Sequence, residues 1–323
     1  MYINHRLSFC KLSEILLENF DIEIEPSNIY NFKLEFAQRF SSCIDEIKRE
    51  IFEGTLIHTD ETKIKLKKEK GFVWVFTNMN TVFFMYRSSR ETDFLIELLT
   101  KFKGVLVSDF YTGYDALACK QQKCLIHLIR DMNDDLLKNQ FDEEFKSIVL
   151  DFGDLLRTII GTIDKYGLKE LNLKKHKNDV EIFYQKIITS KYKSELSNKY
   201  KKRLNKYKDK LFTFLNENGI PWNNNNAEHT IKNFAQLRQH TDGLHTKQGI
   251  EDTLVLFSIF QTCKYRGINF LDFLLSKENS INLYQQKYTL SGNLKMKYKT
   301  NTKAIDEVKN NIEKLFDKNS QKH

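Results

Sequence analysis

Cysteine is scarce in this chain. Its five residues (Cys10, Cys43, Cys119, Cys124 and Cys263) are odd in number and scattered, with no Cys-x-x-Cys pair. That pattern argues against a disulfide framework and for a reduced, cytoplasmic setting. No stretch approaches the roughly 18 consecutive apolar residues of a membrane span, so no membrane partnership is expected. The N-terminus, Met1-Tyr2-Ile3-Asn4-His5-Arg6, lacks the apolar segment of a secretion signal. Proline is nearly absent, with two in 323 residues; beside abundant Lys, Asn and Ile this suggests AT-biased coding and carries no functional signal.

A chain of this length can bury one large core and a smaller piece. The 51 Lys and Arg outnumber the 43 Asp and Glu, a formal charge of +8. A basic excess favours a polyanionic partner, although net charge speaks to nonspecific association and not to fold.

Two stretches carry the first chemical signal. Leu56-Ile57-His58-Thr59-Asp60-Glu61-Thr62 and Gly104-Val105-Leu106-Val107-Ser108-Asp109-Phe110 each read as a short buried strand that stops on an Asp. In open α/β sheets, ligands gather at the carboxyl ends of such strands. A lone Asp of this kind is more often a turn cap, so the pair needs a third partner.

Residues 8–53 read as helical. Leu12, Ile15, Leu16 and Phe20 share one face, and Ser27 is the expected N-cap of a longer helix carrying Ile29, Phe32, Phe36, Phe40, Ile44, Ile47 and Ile51. A short helix, a break and a second helix resemble part of a helix-turn-helix, with Lys33, Arg39, Lys48 and Arg49 as its phosphate partners. A structural helical hairpin explains the pattern equally well. Phe72–Phe76 and Val82–Tyr86 then form a hairpin, a helix opens near Arg90-Glu91-Thr92, and Lys123-Cys124-Leu125-Ile126 reads as a fifth strand. The order of strand, hairpin, helix, strand, helix, strand indicates an α/β fold: a mixed sheet flanked by helices.

Cys124, His127 and Arg130 form Cys-x-x-His-x-x-Arg at the exit of that strand. As a structural zinc site it lacks ligands. His127 and Arg130, about one turn apart on a helix expected to start near His127, can point at an anion or at the carboxylates. Residues 141–215 then break the α/β rhythm with helical periodicity. From Lys165 to Lys210 fifteen Lys and Arg face five Asp and Glu, interleaved with Tyr184, Tyr192, Tyr200 and Tyr207. Lys201, Lys202 and Arg203 are the candidate phosphate contacts there. Such charge runs are commonly solvated faces.

The third carboxylate follows an Asn run, Asn223-Asn224-Asn225-Asn226, which should launch a helix with Glu228 in its first turn and Lys232 and Arg238 further along. Three carboxylates at a sheet edge can bind a pair of hard divalent cations. In order along the chain, Asp60-Glu61-Thr62, Ser108-Asp109-Phe110-Tyr111-x-Gly-Tyr114, Cys124-x-x-His127-x-x-Arg130 and Asn224-Asn225-x-Ala227-Glu228 resemble the insertion-sequence-66 family of DDE transposases, over roughly 56–275.

The resemblance implies a ribonuclease-H-like core at 55–276 with a helical insertion at about 141–215. An N-terminal helical region at 1–54, a candidate DNA-binding helix-turn-helix, would precede it, and a polar Lys/Asn-rich tail at 277–323 with one helix near 304–316 would follow. It implies Asp60, Asp109 and Glu228 as the catalytic, metal-holding triad, with two Mg²⁺ (or Mn²⁺) ions. It also implies double-stranded DNA, both transposon ends and target, as partner, homo-oligomers on that DNA, and a bacterial, nucleoid-associated location. His127, Arg130, Lys201, Lys202, Arg203, Lys232 and Arg238 are the DNA-facing candidates. The chain departs from the family at His229, where Arg is usual, and at Asn223, where an acid is usual; it resembles a short or truncated member. Two other functions remain open: a decayed copy that binds DNA without cutting it, and a ribonuclease-H-like nuclease.

Overall fold

The computed structural model describes residues 1–241 and 245–290, and divides the chain into two compact units, 1–266 and a second beginning at Gly267. Four helices lead: α1 (Tyr2–His5), α2 (Phe9–Phe20), α3 (Pro26–Arg39) and α4 (Ser42–Phe52). The single long helix expected from Ser27 to Ile51 is therefore two. Pro26 takes the first helical position, where a missing N–H costs nothing, so Ser27 lies inside α3 and is not its cap. The break falls at Phe40-Ser41, where the Phe40 ring is fully buried. Lys33, one of the basic residues offered to phosphate, also turns inward: its ammonium donates to Gly249 O at 2.9 Å and Thr253 Oγ1 at 3.2 Å.

The sheet follows: β1 (Leu56–Lys65), β2 (Lys70–Thr77), β3 (Val82–Arg87), then α5 (Asp93–Leu98), β4 (Val105–Ser108) and β5 (Lys120–Lys123). Its order is β3-β2-β1-β4-β5, antiparallel from β1 through β3 and parallel from β1 through β5. β1 runs on to Lys65, so Asp60 sits mid-strand and does not end it. Pairing with β2 carries the strand past the acid, with Asp60 opposite Val75. β1 and β4 start side by side because Gly104 has no Cβ; one there would lie 2.3 Å from Thr55 O.

The fifth strand is also displaced, to Lys120-Gln121-Gln122-Lys123. It escapes an apolar-run search because its last three side chains are polar and yet buried. Their side-chain nitrogens are satisfied internally: Gln121 donates to Tyr114 O and Leu117 O, Gln122 to Lys123 O and Leu211 O, and Lys123 to Ser108 Oγ and Asp109 O. Leu125 and Ile126 instead open α6 (Leu125–Lys138), which buries Leu125, Leu128 and Met132 at helical spacing. The helix thus starts two residues earlier than expected, with Cys124 as its N-cap.

Residues 141–215 are helical as their periodicity indicates: α7 (Glu143–Tyr166), α8 (Glu170–Leu173), α9 (Lys177–Thr189), α10 (Glu195–Lys206) and α11 (Lys208–Leu211). Their core is continuous with the sheet, since Phe145, Phe152 and Tyr200 share one buried cluster with Leu56, Val105, Val107 and Leu125. Tyr184, Tyr200 and Tyr207 belong to that core and are not available to stack on bases. Then come α12 (Asn225–His240) and α13 (Lys247–Tyr265). Ser258 and Thr262 of α13 accept from Phe84 N and Val82 N of β3. Four residues of helix advance about 6 Å and two of strand about 6.6 Å, so the spacings match and the outer edge of β3 is covered.

The second unit contains α14 (Phe270–Leu275) and α15 (Ile281–Leu290), in which the Phe273 and Tyr284 rings meet edge to face at 5.4 Å. The helix anticipated near 304–316 lies outside the described residues.

Candidate active site

Alternation along β1 decides which acid meets which layer. Leu56, His58 and Asp60 share a face with Val75 of β2 and Phe84 of β3, their partners across the ladder. α12 and α13 cover that face through Phe234 and Phe257, whose rings lie 5.9 and 5.0 Å from Phe84, and the α6–α7 cluster covers it beside Leu56. Thr59, Glu61, Phe76 and Phe83 point the other way, towards Phe52 of α4. Glu61 is accordingly held apart, accepting from Tyr114 Oη at 2.9 Å and Arg90 Nε at 2.6 Å.

Asp60 and Asp109 stand level. His58 and Val107 are the last pair of the parallel β1–β4 ladder, and each acid follows its member of that pair by two positions. Asp109 leaves β4 in a tight turn, its Oδ1 accepting from Tyr111 N at 2.9 Å. Asp60 Oδ1 accepts from Glu61 N at 2.9 Å. Burial pushes the Asp60 carboxyl up to about 7; the Glu61 N–H opposes this, and the charges of Glu61, Asp109 and Glu228 add to it. Glu228, 168 positions further along the chain, lies near enough for its charge to add to that of Asp109.

Glu228 arrives through the Asn run. As expected, that run launches α12 with Glu228 in the first turn. Asn224 is the fastening: its Oδ1 meets His58 Nδ1 at 3.0 Å, its Nδ2 donates to Thr59 O at 2.8 Å, and its N–H donates to Cys124 Sγ at 3.2 Å. Because Nδ2 is the donor to Thr59, Oδ1 accepts and His58 carries its proton on Nδ1. Burial lowers His58 to about 4, so it is neutral there.

His127 Nδ1 lies 3.8 Å from Glu228 Oε1, and Lys232 Nζ lies 4.0 Å from Glu228 Oε2. Arg130, a turn beyond His127, is exposed. The other basic candidates divide. Lys201 donates to Ile188 O and Ser190 O, closing the C-terminal end of α9, and Arg203 pairs with Asp131 at 2.8 Å over the Phe110 ring. Arg238 donates to Lys63 O of β1. Lys202 is exposed.

Two residues escaped sequence reasoning. Lys123 is fully buried, with its ammonium 3.0 Å from Asp109 O and 3.7 Å from Asp115 Oδ1. Burial lowers it to about 8, against the pull of Asp115 and Asp109. A strand lysine carries no sign of such burial. His58 precedes Asp60 by two residues, and that spacing could have signalled a shared face.

A family model described as "Transposase IS66 family" matches residues 3–252, most of the chain. The chain belongs to the IS66 transposase family. The match reaches further towards the N-terminus than the motif resemblance, taking in α1–α4, and ends within α13. Membership implies a transposase role with DNA as substrate. Among curated proteins the comparison finds no significant match. No helix among the described residues is long and apolar enough to cross a membrane.

Proposed function

We propose that this IS66-family chain is a DDE transposase on a ribonuclease-H-like core, cutting transposon ends and joining them to target DNA. The observation that carries this is the register that sets Asp60 and Asp109 level on neighbouring strands, with the charges of Asp109 and Glu228 both acting on Asp60. Like-charged carboxylates held together on one sheet face, all offering oxygen, fit hard divalent cations such as Mg²⁺ or Mn²⁺. The strand order β3-β2-β1-β4-β5, with an acid on β1 and another just after β4, supports the same reading.

Asp60, Asp109 and Glu228 would hold the ions, which when bound supply activation of the attacking oxygen and stabilisation of the leaving oxygen in an in-line phosphoryl displacement. Water is the nucleophile for cutting and a DNA 3′-hydroxyl for joining. Lys123 holds the turn of Asp109 from beneath, and Asn224 fixes the start of α12 against β1. Arg130, exposed one turn after His127, orients the scissile phosphate. Lys202 and Lys232, both exposed, are offered to the DNA backbone. Copies assemble on paired ends.

The test is a nicking and joining assay on DNA carrying the element's ends, with Mg²⁺, comparing the natural chain with Asp109→Ala and Glu228→Gln. The proposal expects both variants to lose cleavage while still binding DNA. Equal activity in all three would sink it. A second reading, a copy that binds ends without cutting, is motivated by His229 at the position where Arg is usual; it predicts end binding with no cleavage by the natural chain.

A further inference from the structure

Glu228 faces two partners that the carboxylate chemistry does not use. One ligand-capable atom from each of Cys124, His127 and Glu228 lies within 4.8 Å of the others. His127 Nδ1 and Glu228 Oε1 are both shielded from solvent, and neither has a hydrogen-bond partner. Their separation of 3.8 Å is too long for a hydrogen bond between them. Two buried polar atoms this close and without partners call for an occupant that accepts lone pairs from both.

We propose that Cys124 Sγ, the His127 imidazole and the Glu228 carboxylate form a site for a thiophilic divalent cation of the zinc class. The donors decide the class. A thiolate and an imidazole with one carboxylate select zinc-like ions, whereas Mg²⁺ prefers oxygen alone. Bond lengths of about 2.0–2.3 Å place tetrahedral ligand atoms roughly 3.3–3.8 Å apart, so the three atoms need close by only about 1 Å. His127 and Glu228 side chains, 30% and 15% exposed, have room for that movement.

The backbone frame is firm. Cys124 caps α6 and His127 lies in its first turn, while Glu228 lies in the first turn of α12. Leu125 N donates to Trp222 O at 3.0 Å and Asn224 N to Cys124 Sγ at 3.2 Å, locking the two helix starts together. Cys124 is fully buried, so the cation enters from the His127 and Glu228 side. On binding, the thiol releases its proton to solvent and the sulfur bonds the metal as thiolate. Three protein ligands leave a fourth position open.

The consequence, which rests on the function proposed above, is competition. Glu228 engaged with a zinc-class ion is withdrawn from the hard-cation triad, so the site is inhibitory.

Co²⁺, added to the full chain, is the probe. Expected is about one equivalent bound with a thiolate-to-cobalt charge-transfer band, abolished in Cys124→Ser and retained in Cys10→Ser. His127→Asn should weaken binding by about tenfold or more. Circular dichroism establishes that each variant is folded, and if Cys124→Ser is not, His127→Asn decides. No charge-transfer band in the folded natural chain, or unchanged Co²⁺ affinity in His127→Asn, overturns the proposal. In the cleavage assay, Zn²⁺ added over Mg²⁺ should slow the natural chain, and the ratio of rates with and without Zn²⁺ should rise towards one in His127→Asn. If the natural chain does not cleave at all, the transposase reading fails while the Co²⁺ spectrum still decides the metal site.

Discussion

Asn224 Oδ1 and His58 Nδ1 meet at 3.0 Å across 166 positions of sequence. That buried contact, with the Asn224–Thr59 bond beside it, ties the start of α12 to β1 and so fixes the first turn in which Glu228 lies. Asn224→Ala leaves His58 Nδ1 and Thr59 O without their partner. Stability should fall by about 2–4 kcal/mol in urea denaturation. Cleavage per folded molecule should fall by more than about tenfold, because Glu228 loses its alignment. Normal turnover in a destabilised protein would show that Asn224 serves the fold alone.

Asp60 makes a pH prediction whose sign can be worked out. Its folded value of about 7 stands above the ordinary 3.8. Below about pH 4 the carboxyl is protonated in both states and costs nothing. Between there and pH 7 the folded state holds the extra proton, so stability falls as pH rises, and the full penalty applies above 7. His58, lowered to about 4, acts in the opposite direction over pH 4–6.5 and masks the effect in the natural chain. The difference between Asp60→Asn and the natural chain isolates it. In EDTA, Asp60→Asn should be the more stable at pH 8, by at most about 4 kcal/mol, and nearly equal at pH 4. Mg²⁺ should raise the melting temperature of the natural chain at pH 8 and not that of the variant. A pH-independent difference would rule out the raised carboxyl.

The basic candidates of the insertion and of α12 should separate into two kinds of residue. Lys202→Ala and Lys232→Ala should weaken binding to end and random DNA alike, each lowering the salt slope by about 0.9. Arg203→Ala breaks the Asp131 pair and the contact with Phe110, and should cost roughly 1 kcal/mol of stability instead. Loss of affinity for end sequence alone in the Lys202 variant would mean that this residue reads bases.

Arg130→Ala should leave the melting temperature and Mg²⁺ affinity close to unchanged, since the side chain is exposed. Cleavage should drop by about tenfold to a thousandfold if the guanidinium orients the phosphate as charge builds on it. Unchanged turnover would remove Arg130 from the site.

The sequence by itself determined the type of most elements: the β2–β3 hairpin, the Val105–Ser108 strand ending before Asp109, the helices of 141–215 and the Asn-launched α12 with Glu228 in its first turn. These signals are local, arising from periodicity, turn chemistry and capping, and the chain carries them without reference to distant partners. Tertiary structure alone decided the rest. Lys120–Lys123 became a strand because carbonyls of Tyr114, Leu117 and Leu211 accept its buried glutamines, and no property of the segment announces those partners. Lys201 and Arg203 look like free positive charge in sequence, but folding brings Ile188 O, Ser190 O and Asp131 within reach. The pairing of Cys124 and His127 with Glu228 likewise requires α6 and α12 to begin side by side, a juxtaposition of residues about a hundred positions apart that β1 and Asn224 enforce.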